Sequence, residues 1–159
     1  MNPPAPSVIP AVRMPVTTSI QSAAKVINRP HTLGGMPAAA AFALDAVLVI
    51  VFATIGRASH DEGLTVAGIA DTAWPFLVGL VVGWLIATMI AKTYPLTVRT
   101  AWPVWVLTVL VGMLLRWLTG DGTAAAFMVV ATLTLGVLLL GWRAIAGLIQ
   151  RRRQAPNTQ

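Results

Sequence analysis

Apolar residues run through this chain in four long blocks, with polar and charged residues confined to the gaps between them. The first block spans about Pro37 to Gly56 and the second about Val66 to Ala91. The third spans about Ala101 to Leu118 and the fourth about Thr123 to Ile149. A bilayer core needs roughly 20 helical residues at about 1.5 Å each. Each block therefore predicts a membrane-spanning helix, with Pro37 suited to a helix start. The connectors are short, which predicts antiparallel neighbours. The expected fold is all-α: a polytopic four-helix bundle over residues 37–149.

Composition supports this. Only 10 % of the 159 residues are charged and 57 % are hydrophobic, whereas soluble domains carry about a quarter charged residues. Four consecutive apolar helices in a soluble protein would need a polar shell that so short a chain lacks. There is no Cys, which excludes disulfides, thiolate nucleophiles and thiolate metal sites. Residues 1–36 are Pro-rich and acid-free and contain no long apolar run. They read as a disordered cytoplasmic tail rather than a signal peptide. Residues 150–159 read as a short basic cytoplasmic tail.

The net charge is +6, from eleven Lys and Arg against five Asp and Glu. Nine of the eleven fall on one side of the threaded chain: Arg13, Lys25, Arg29, Lys92, Arg99, Arg143, Arg151, Arg152 and Arg153. Only Arg57 and Arg116 fall on the other, beside Asp61, Glu62, Asp71 and Asp121. Basic residues concentrate on the cytoplasmic side of membrane proteins, so both termini are expected inside the cell membrane. The basic balance then reflects topology and anionic lipid, with Arg151, Arg152 and Arg153 as a lipid contact, rather than nucleic acid. Trp102, Trp105, Tyr94 and Trp142 fall near the inner boundary, and Trp74 and Trp117 near the outer one. Trp84 lies within the second span and is expected to be a packing residue.

Two groups of polar residues stand out. Asp45 lies about 12 Å into the first span. An acid at that depth costs several kcal/mol unless paired or neutral, so it is either a proton or cation site or half of a structural ion pair. Its partner by depth is Arg143, about 9 Å from the inner end of the fourth span. Arg143 shares a stripe with Ala125, Thr132, Gly136 and Gly147, the small and polar composition of helix interfaces. The alternative for Arg143 is snorkelling to the head groups. The second group is an outer cluster of Arg57, His60, Asp71 and Arg116. It reads either as a polar vestibule or as solvated loop charge with one Arg–Asp pair. Ser59-His60-Asp61 has the residue types of a hydrolase triad, but consecutive side chains do not converge as a triad requires. One His and two acids make a poor metal set, so no metal, cofactor or enzymatic activity is expected. Gly79 and Gly83 form a small-residue face for close helix approach. Pro75 interrupts the ladder of the second helix near Asp71 and predicts a bend.

Certain stretches resemble a family of small four-span bacterial membrane proteins of unknown function, common in actinobacteria. They are Asp45 through His60 with its Gly56-Arg57 end, and Trp74-Pro75-Phe76 followed by Gly79, Gly83 and Trp84. Gly112 to Arg116 and Gly120 to Phe127 complete the likeness. The resemblance implies the four-span fold and adds no activity. Two functional expectations remain open. One is a small oligomeric transporter or channel with Asp45 as its site. The other is a structural or accessory subunit of a larger membrane complex.

Overall fold

A computed structural model of the chain describes Met1, residues 36–58 and residues 64–154. The expected N-terminal tail and the outer-loop residues Ser59, His60, Asp61 and Glu62 lie outside the described residues, apart from Met1 and Met36. Four helices follow one another: α1 (Ala38–Ala58), α2 (Val66–Ala91), α3 (Val98–Leu118) and α4 (Ala125–Gln154). Each is long and apolar enough to cross a membrane.

Local chemistry sets their ends. Pro37 stands just before α1, and its carbonyl accepts from Ala40 N and Ala41 N. Thr65 caps α2 by accepting from Gly68 N at 3.1 Å. The α2 C-terminus turns at Lys92, whose φ of 53° is left-handed. Thr97 and Thr100 form a reciprocal capping box that starts α3 at Val98, three residues earlier than the apolar pattern suggested. At the far end of α3, Gly120 has a φ of +81°. Its N–H bonds Trp117 O while Asp121 N bonds Arg116 O. This is a Schellman closure, and the positive φ is why glycine sits there.

α4 departs most from expectation. It continues beyond Ile149 to Gln154, so Arg151, Arg152 and Arg153 lie in its last helical turn. Nothing in the basic run breaks a helix, and cations favour the negative end of the helix dipole.

The helices form a ring in which α1 touches α2 and α4, and α3 touches α2 and α4. Consecutive helices are antiparallel, with α2 on α3 the closest pair. A Cβ added at Gly79 would lie 2.7 Å from Thr108 O, and one at Gly83 would lie 2.9 Å from Val104 O. Backbone meets backbone there, as the small-residue face predicts. Pro75 is buried within α2, which remains one uninterrupted helix. The core consists of Val49, Phe52, Phe76, Leu80, Val104, Leu135 and Leu139 with their neighbours.

The α4 stripe through Ala125, Thr132, Gly136 and Gly147 is not the buried seam. That seam is Ala131, Leu135, Leu139 and Arg143, repeating every four residues. Ala125 is exposed and Gly147 only half-buried. Gly136 faces the Trp105 indole of α3, which would stand 3.1 Å from an added Cβ.

Candidate functional site: a closed ion pair and an open outer pocket

The start of α1, the end of α2, the end of α4 and the α2–α3 loop meet at one end of the bundle. Asp45 is the eighth residue of α1 and is fully buried, while Arg143 of α4 is 1 % exposed. The guanidinium grips the carboxylate with both arms. Nη2 donates to Oδ2 at 2.7 Å and Nη1 to Oδ1 at 2.8 Å. Such two-pronged pairs have the strongest geometry available to these groups.

Asp45 has no spare capacity. Trp84 Nε1 donates to Asp45 Oδ2 at 2.8 Å, and Trp142 Nε1 donates to Oδ1 at 2.9 Å. Each carboxylate oxygen thus accepts two N–H bonds, filling about four lone-pair sites. Arg143 also donates Nη1 to Leu139 O at 2.6 Å and Nε to Pro95 O at 2.9 Å. Its charge lies 4.4 Å from the Trp142 ring centroid and 6.0 Å from that of Trp84. Phe42 closes the α1 side, edge-on to Trp84 at 5.4 Å.

Sequence reasoning reached the Asp45–Arg143 pair but not its frame. Trp84 was expected only to pack. The available signal was its indole N–H, which at mid-span needs an acceptor. Trp142, an interface anchor by its place in the sequence, sits half-buried against Asp45. Nothing in the sequence marks the Pro95 carbonyl.

The opposite end is looser. A cavity of about 240 Å³ is walled by Phe52, Arg57, Thr72, Arg116, Gly122 and Phe127 among others. Arg57 Nη1 donates to Thr72 Oγ1 at 3.4 Å. Arg116 lies over the Phe127 ring at 4.8 Å, donates Nη2 to Gly122 O at 3.4 Å, and stands 4.0 Å from Asp121. Its buried Nε has no partner. Arg57 and Arg116 therefore share one cavity, but Asp71 does not join them. It is exposed, one residue and about 100° around α2 from Thr72. His60 lies outside the described residues. Among the described residues no His, Cys, Asp and Glu group has the makings of a metal site.

The fold and its buried polar centre define a multi-pass, all-helical membrane protein. The family model described as "Protein of unknown function (DUF3054)" matches residues 42–146. That is more than half of the chain, and the chain belongs to this family. The match encloses Asp45, Trp84, Pro95, Trp142 and Arg143. No curated protein and no solved structure matches the chain.

Proposed function

We propose that this protein is a structural or accessory component of a bacterial cytoplasmic-membrane assembly, with Asp45 and Arg143 as the lock of its bundle. The observation that supports this reading is the saturation of Asp45. A cation carrier must offer vacant oxygens, and here all four acceptor positions are filled. A proton carrier must tolerate the neutral acid. A proton on either oxygen would face an N–H donor and leave Arg143 without its counter-charge at a buried site. The lock joins α1, α2, α4 and the α2–α3 loop, so its energy serves to fix how the helices assemble.

The non-enzymatic reading rests on the chain's chemistry: the sequence has no Cys, and among the described residues the spans carry no Ser–His pair and no two carboxylates at matched depth. The orientation we propose, with both termini cytoplasmic, rests on the nine-to-two distribution of basic residues. A periplasm-dependent reporter fused after Gln159 is then inactive, and activity overturns the orientation.

The rival reading is a small oligomeric transporter or channel with Asp45 as its proton or cation site. The two separate in proteoliposomes carrying an internal pH- or cation-sensitive dye. The structural reading expects the same flux from the intact protein and from Asp45→Asn. A saturable flux that disappears in Asp45→Asn, with the variant still folded, overturns it. Mild-detergent purification provides the second arm. A stoichiometric companion subunit supports the accessory role, and a lone homo-oligomer opposes it.

A further inference from the structure

The crevice between α3 and α4 holds two cavities that meet. One, of about 660 Å³, opens where α3 starts and α4 ends, between Val98, Arg99, Arg143, Ala144, Gly147 and Arg151. The other, of about 450 Å³, continues along the same crevice past Trp105, Leu133, Gly136 and Leu140. Val98 and Ala144 line both, so the two adjoin along one slot between the helices. Its first part carries cations and its second is apolar. The Trp105 indole N–H is spent on Thr132 O at 3.0 Å, so it presents no free donor to the groove.

We propose that this slot binds one anionic phospholipid, with the headgroup phosphate between Arg99 and Arg151 and an acyl chain along the groove beside Gly136 and Gly141. Charge argues for the headgroup. No acid lines the cationic cavity. Arg143 is already opposed by Asp45, whereas Arg99 and Arg151 are exposed and form no ion pair among the described residues. The first turn of α3 contains no acid, so the positive end of its dipole also faces this end unneutralised. Shape argues for the chain. Added Cβ atoms at Gly141 and Gly147 would meet nothing within 4 Å, so α4 leaves the slot open on its own side. Both volumes fall within the ~300–1,000 Å³ of ligand sites. Basic pockets between membrane helices suit anionic headgroups. This inference rests on the membrane-spanning fold and stands whether Asp45 is a lock or a carrier.

The test uses the full-length protein in mild detergent, titrated with dioleoyl-phosphatidylglycerol and read by native mass spectrometry. The intact chain should retain one phosphatidylglycerol in preference to dioleoyl-phosphatidylcholine. The double variant Arg99→Gln/Arg151→Gln should bind about 10- to 30-fold more weakly, at roughly one charge's attraction per arginine. Arg152→Gln/Arg153→Gln removes the same charge from residues that do not line the slot, and should change affinity less than about twofold. Gly147→Phe fills the cavity without changing charge and should also lose the lipid. Melting curves of each variant in the same detergent confirm the fold.

Equal losses from both arginine pairs would mean diffuse attraction and would overturn the site. Equal binding of phosphatidylcholine would overturn the headgroup assignment. Displacement by glycerol phosphate or inorganic phosphate at comparable affinity would make it a soluble-anion site and overturn the lipid. A shift from dimer to monomer in Gly147→Phe would mean that a second copy fills the slot, which also overturns it.

Discussion

Arg143 and Arg116 sit at opposite ends of the bundle, each with an acid and an aromatic ring beside it, yet they are held very differently. Arg143 meets Asp45 at 2.7 Å, and its side chain is fully buried. Arg116 stands 4.0 Å from Asp121, with 15 % of its side chain exposed and its Nε unpartnered. The difference follows from where each charge is spent. Deep in the apolar layer an ion pair persists only when nearly every donor and acceptor is met. Near the end of a helix a longer pair, with Asp121 44 % exposed, is worth less. One arginine organises the fold, and the other decorates a pocket.

The sharpest way to break that contrast is to remove one side of the buried pair. Asp45→Asn should destabilise the detergent-solubilised protein by about 3–5 kcal/mol, because Arg143 is left without its counter-charge. Adding Arg143→Gln should recover much of the loss. Chemical or thermal unfolding of the two single variants and the double variant gives the coupling. A coupling below about 0.5 kcal/mol would mean that the two residues do not act as a unit.

Gly83 and Trp84 sharpen the comparison from the α2 side. Gly83→Leu sets new atoms against the Val104 backbone, which has no rotamer to yield. We expect a loss near 3 kcal/mol, the upper end for overpacking. An unchanged melting curve would mean that α2 can move off α3 without disturbing the lock. Trp84→Phe keeps most of the ring but removes one of the two donors on Asp45 Oδ2. Its cost should be about 2 kcal/mol, within the range for an acceptor left unsatisfied. It should shrink towards zero in an Asp45→Asn background, because the charged acceptor is gone. Equal losses in both backgrounds would reduce Trp84 to packing.

These residues also mark how far the sequence alone reaches. The four spans were legible because apolar runs of that length have one common explanation in so short a chain. The Asp45–Arg143 pair was legible because an acid at mid-span demands a partner, and matched depth named one. Gly79 and Gly83 were legible from their spacing of four. The frame of the pair was not. Trp84 and Trp142 read equally well as packing and anchor residues, since an indole advertises its apolar ring and its N–H together. Pro95 contributes only a carbonyl, which every residue has. The α4 seam was misplaced because two stripes one residue apart are both rich in small and apolar side chains. What separates them is where α1 and α3 stand, a tertiary fact. Hydropathy ends at Ile149, whereas the hydrogen-bond ladder of α4 continues to Gln154, which an apolar run alone does not mark.

The smallest expected effect concerns Arg116, and it is the one that defines the contrast. If this arginine only decorates the outer pocket, Arg116→Met should change stability by less than about 1 kcal/mol. The pair with Asp121 is loose, at 4.0 Å with Asp121 44 % exposed, and contributes little. The thioether chain can still lie over Phe127, replacing the cation–π contact with a sulfur–aromatic one, and the unpartnered Nε disappears with the guanidinium. Removing a buried donor that has no acceptor relieves a desolvation penalty, so the variant should end level with the parent or slightly above it. A parallel Asp121→Asn, measured the same way, should be as mild, because the Schellman closure that places Asp121 uses its backbone N–H rather than its carboxylate. A loss of about 3 kcal/mol from Arg116→Met would put the outer arginine in the same class as Arg143. The two ends of the bundle would then differ only in geometry, and not in what their charges do.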